Sequence, residues 1–128
     1  MDFNLLPLRD LFLALREEEG CRPRTVEKYA EALNRFVTMP GLPADARDLN
    51  PLHLAAWLAQ MRKAGLSAGS RSTYQRPVWT WLRWMYTYGA VPTDLSRMVK
   101  PVRIPPNEVK RRTLSIEDFR NLLIVAAD

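Results

Sequence analysis

Leu66–Gly89 reads LSAGSRSTYQRPVWTWLRWMYTYG, and it decides what kind of fold this chain can adopt. Ser67 can cap a helix, Gly89 can end one, and three of the four tryptophans fall between positions 79 and 84. On a helical period Val78, Trp81, Leu82 and Met85 share one face, the i, i+3, i+4, i+7 spacing of a core-facing helix. The opposite stripe is Thr73, Arg76, Thr80, Arg83 and Thr87, all polar or basic, and no acidic residue occurs in the stretch. Pro77 interrupts the pattern. It removes a backbone donor and crowds the carbonyl four residues earlier, so a kink or a break is expected there.

Working outward, three more amphipathic helices precede this one. Asn4–Glu18 places Leu5, Leu8, Leu11, Phe12 and Leu15 on one side, with Pro7 tolerable in the first turn and Gly20 as the stop. Arg24 to about Met39 puts Val26, Tyr29, Leu33, Phe36 and Val37 on one face and Glu27, Glu31 and Arg35 on another. A Pro/Gly-bearing loop follows. The third helix opens with Asn50 as N-cap and Pro51 at its first position. Leu49 and Leu54 have the spacing of a hydrophobic staple, and Leu54, Trp57, Leu58 and Met61 form the buried stripe. His53 is the single histidine and, without a partner, reads as a surface residue. The Trp and Tyr residues of the fourth helix could stack on bases, but helical spacing favours a core role, with Tyr29 and Tyr88 on apolar faces.

Beyond Gly89 the periodicity is lost. AVPTDLSRMVKPVRIPPNEVKRR (90–112) carries four prolines and six basic residues, the composition of an extended linker. Ser115 then caps a further apolar stripe, Ile116, Phe119, Leu122 and Leu123, which has little chain to pack against.

Composition narrows the function. With 128 residues, 47% apolar, the chain can bury a core, and its single cysteine, Cys21, permits neither an internal disulfide nor a cysteine metal site. That usage suits a reducing cytoplasm. No apolar run reaches the ~20 residues that span a bilayer. The net charge of +5 is unevenly spread: residues 49–112 hold eleven basic residues against Asp94 and Glu108, and no acid lies between Asp48 and Asp94. Such a field suits a polyanion, most commonly nucleic acid, or simply a solvated basic face. Arg22, Arg24 and Lys28 crowd a helix N-terminus, where cations are unfavourable unless a phosphate is to be held.

The series resembles the N-terminal half of the tyrosine recombinases, the phage integrase family. The family's T-x-x-x-Y-x-x-x-L-x-x-F helix stands here as Thr25, Tyr29, Leu33 and Phe36. Its L-S turn, Ser/Thr-and-basic segment and basic-aromatic close stand as Leu66, Ser67, Ser70, Arg83, Trp84 and Gly89. Its post-linker opening stands as Leu114, Ser115, Glu117 and Asp118. Three positions depart: Asp94-Leu95 replaces Asn-Pro, Pro77 enters the fourth helix, and Arg71 stands where an apolar residue is usual.

The resemblance implies an all-α fold, a four-helix SAM-like orthogonal bundle over residues 1–92, a basic linker over 93–112, and the start of a catalytic domain over 113–128. It implies double-stranded DNA as partner, with other recombinase protomers on the same DNA, and no membrane, small-molecule ligand, cofactor or metal. In the family the second and fourth helices face the major groove. By position these offer Arg22, Arg24, Thr25 and Lys28, then Ser70, Arg71, Ser72, Thr73 and Arg76. Linker cations Lys100, Arg103, Lys110, Arg111 and Arg112 would follow the backbone. Thr73 and Arg76 are candidates for base edges. The family cuts DNA with a tyrosine hydroxyl assisted by Arg, Lys and His-x-x-Arg. No His-x-x-Arg exists here, so this chain is expected to bind rather than cleave. The competing reading is a helical protein-docking module.

Overall fold

The computed structural model describes residues 3–105. Four α-helices run over Leu5–Glu18 (α1), Pro23–Val37 (α2), Pro51–Lys63 (α3) and Ala68–Thr87 (α4), with single 3-10 turns at Ala46–Asp48 and Leu95–Arg97. The expected all-α four-helix bundle is therefore present, with no strand among the described residues. The expected helix from Ser115 lies outside them.

α4 is the axis of the bundle, packing against α1, α2, α3 and the second 3-10 turn. Val78, Trp81, Leu82 and Met85 are each fully buried, as the spacing requires. Two aromatic joints tie the helices to one another. Phe12 of α1 meets Tyr29 of α2 at 5.5 Å and Trp84 of α4 at 5.4 Å, both edge-on. Phe36 of α2 meets Trp57 of α3 at 5.2 Å and Trp81 of α4 at 6.4 Å, again edge-on, the geometry ring quadrupoles favour.

The helix ends follow local chemistry. Asn50 Oδ1 accepts the Leu52 N–H at 2.8 Å, and His53 Nδ1 accepts the Asn50 N–H at 3.1 Å, closing a reciprocal capping box. The single histidine is thus a half-buried capping residue rather than a plain surface one. At the far end of α4, Ala90 N–H reaches Met85 O at 2.8 Å and Gly89 N–H reaches Tyr86 O at 3.1 Å. This closure needs Gly89 at φ +82°, which a side chain resists. Asp45 caps the first 3-10 turn through the Arg47 N–H. Its side-chain bonds with the Arg47 guanidinium hold the Asp45 carboxyl below the usual aspartate range.

Three expectations change. Of the kink or break expected at Pro77, the break does not occur: α4 is helical without interruption from Ala68 to Thr87, and Val78 and Trp81 on one side and Tyr74 on the other tie both flanking turns to the core. Leu11, expected in the α1 stripe, is 50% exposed: α1 meets α2 and α4 along its Leu8–Phe12 edge, and Leu11 lies outside it. Tyr88, expected on an apolar face, is 68% exposed beyond the last turn of α4.

Pro77 still deprives the Thr73 carbonyl of its helical donor. Replacing it with alanine restores that donor, at the loss of some unfolded-chain stiffness. Pro77→Ala should raise stability by about 1–3 kcal/mol, read as a higher Tm in thermal melting.

Candidate nucleic-acid interface

The N-terminal turn of α2 presents cations at a place where they are locally unfavourable. Arg22 is the N-cap residue, Pro23 the first helical residue, and Arg24, Thr25 and Lys28 follow; apart from Pro23's missing donor, nothing acidic offsets the first turn. All four expected contact residues are exposed. Arg24 and Lys28, four apart, lie on one face of the helix.

Lys28 meets α4 across a cleft of about 310 Å³ lined by Lys28, Glu31, Thr73, Tyr74, Arg76 and Pro77. Residues 48 positions apart in sequence are thereby brought to one site, since Lys28 and Arg76 share it. The carboxylate in this cleft, Glu31, accepts the Tyr74 O–H at 3.2 Å. The Tyr74 ring in turn carries the Arg35 guanidinium at 4.8 Å from its centre. Tyr74 is thus a brace between α2 and α4. Thr73 is exposed, and its hydroxyl donates to Gly69 O at 3.0 Å. With its hydrogen so committed, the hydroxyl has only acceptor capacity left to offer.

Arg76 also borders a second, larger cleft of about 660 Å³, whose lining includes Thr80, Arg83, Trp79, Val102 and Ile104. Arg83 is exposed and its Nε lies 3.9 Å from Asp94 Oδ2, a long and weak pairing at that exposure. Arg76, Thr80 and Arg83 continue the polar stripe read from the sequence, so Arg83 belongs with the candidate residues. The 3.6-residue period carried that signal.

The other expected residues divide. Ser70 is exposed, but both its N–H and its hydroxyl engage the capping oxygen of Ser67, at 3.2 and 3.3 Å. Its evident work is closing the start of α4. Ser72, expected at the interface, is only 7% exposed and lies in the lining of the larger cleft, so it offers little to a duplex. Arg71 is half-buried, and its Nε is buried without a hydrogen-bond partner among the described residues. Lys100 and Arg103 are exposed. Lys110, Arg111 and Arg112 lie outside the described residues.

The tryptophans of α4 are core rather than a stacking platform: Trp79, Trp81 and Trp84 are all buried, and among the described aromatics Tyr86 and Tyr88 are the large exposed rings. Among the described residues no cluster of His, Cys, Asp or Glu could hold a metal ion. No helix there is long and apolar enough to cross a membrane.

No protein-family model matches the chain, and no curated protein or solved structure is significantly similar to it.

Proposed function

We propose that this chain grips duplex DNA as the core-binding domain of a tyrosine recombinase. The observation that carries the reading is the cleft in which Lys28 of α2 meets Thr73 and Arg76 of α4. It supports a two-helix approach to a major groove about 12 Å wide, with cations along both helix faces. Arg22, Arg24, Lys28 and Arg83 serve as phosphate contacts that set position. Arg76 and Thr73 serve as the base-reading pair, Arg76 donating to guanine and Thr73 offering its acceptor. Strand cutting belongs to other residues of the parent protein.

The test is fluorescence anisotropy of labelled duplex DNA with the unaltered chain and with Lys28→Ala/Arg76→Ala. Loss of one phosphate contact and one base contact should weaken binding by about a hundredfold at fixed salt. Both side chains are exposed, so the melting temperature should stay put. Equal affinity of the two proteins would sink the reading. Lost stability in place of lost affinity would show that the pair serves the fold.

A further inference from the structure

The stretch that follows α4 is anchored rather than free. Ala90, Val91, Leu95 and Ser96 are buried, and Asp94 caps the second 3-10 turn through the Ser96 N–H at 3.1 Å. The anchoring continues into a segment with no regular structure. There Gln75, a polar residue in mid-helix, is only 2% exposed. A buried amide is costly unless both its donor and its acceptor are engaged. Gln75 Oε1 accepts the Val102 N–H at 2.7 Å, and its Nε2 donates to Lys100 O at 3.2 Å. Those two backbone groups flank Pro101, which has no N–H to offer. One residue bonding to both sides of a single opposite residue is the pattern of a parallel β ladder, here made by a side chain. One helical turn further on, Trp79 Nε1 donates to Val99 O at 3.0 Å.

We infer that Gln75 is a positioning residue. It fixes Lys100–Val102 along α4, so that Lys100 and Arg103 stay in the segment walling the cleft that Arg76 and Arg83 line. Four cations from two parts of the chain then form one track for a phosphate backbone. The DNA half of this step rests on the function proposed above; the clamp itself does not.

Two readouts separate them. Without DNA, hydrogen exchange of the Val102 amide should be about tenfold or more slower in the unaltered chain than in Gln75→Leu, the effect of one lost hydrogen bond. Core amides such as those of Leu33 and Trp81 should not change. With duplex DNA, Gln75→Leu should lower the slope of log affinity against log salt by about two, as Lys100 and Arg103 drop out. Lys100→Ala/Arg103→Ala should lower it equally, and adding Gln75→Leu to that pair should lower it no further.

Equal Val102 exchange in the two proteins would overturn the clamp. Released Val102 with an unchanged salt slope would overturn the positioning role. Failure of the unaltered chain to bind DNA would overturn the underlying function, while the exchange result still decides the clamp. Should Gln75→Leu not fold, Gln75→Glu keeps the shape and the Val102 bond but sets an acceptor against Lys100 O, and should release that side of the segment.

Discussion

Phe36→Ala should cost about 3–5 kcal/mol, enough to threaten the fold itself. Phe36 is fully buried and touches α3 and α4 at once, through Trp57 and Trp81. Truncation loses the transfer energy of the ring and leaves a void that two rigid indoles fill poorly. It also removes two edge-on contacts, each worth about 0.5–1.5 kcal/mol beyond area. A domain of this size holds about 5–15 kcal/mol in total. At about 4–8 °C per kcal/mol, Tm should fall by at least ~12 °C in a circular dichroism melt. Tyr88→Ala is the control: that ring is 68% exposed and meets the Trp84 ring at 5.1 Å, so its loss should stay within about 1.5 kcal/mol. A Phe36→Ala melt within a few degrees of the unaltered chain would mean that the three-helix joint is not what holds the bundle.

That joint was readable in advance because it is a matter of period. Phe36, Trp57 and Trp81 each belong to an apolar stripe of helical spacing, and such stripes on successive helices have nowhere to go but against one another. Leu49 and Leu54, spaced as a staple, are both buried, and the capping of α3 by Asn50 was equally local, and so equally legible. Pro77 was not. Its local preference is to break a helix, and tertiary packing on both sides of it prevails. Leu11 shows the same limit, since a stripe tells which residues lie together but not how wide the covering surface is.

The site was legible in part for a related reason. Lys28 and Arg76 could be named because each lies on a polar face, yet nothing local in the sequence places the two in one cleft. Gln75 and Ser72 lie on the α4 side that the post-helix segment covers. A long-range contact of 25 residues, from Gln75 to Lys100, has no period to announce it. Proline-rich composition at 90–112 pointed instead to an extended tether, because prolines forbid helix without forbidding contact. A side-chain clamp supplies what the backbone of such a segment cannot make for itself.

The steepest expected effect on function is that of salt. Binding of duplex DNA should weaken by about a thousandfold between about 50 and 200 mM monovalent salt if some six phosphates are neutralised. Seven exposed cations on the two helices and the docked segment could supply them: Arg22, Arg24, Lys28, Arg76, Arg83, Lys100 and Arg103. Each neutralised phosphate releases condensed counterions and adds about 0.9 to the slope, so the slope counts contacts. A fall of only about tenfold would mean roughly two contacts, as for a generic basic patch. The whole track would then be excluded even though some binding remained. A protein-docking module predicts no such dependence, and responds instead to apolar changes at Phe119 or Leu122. Measuring the slope for the unaltered chain, then for Lys28→Ala/Arg76→Ala and Lys100→Ala/Arg103→Ala, assigns the contacts in pairs. If the two pairs lower the slope independently, the α2–α4 cleft and the docked segment meet different phosphates of one duplex. If either pair alone abolishes binding, one short stretch of backbone is being held and the cations act as a single cluster.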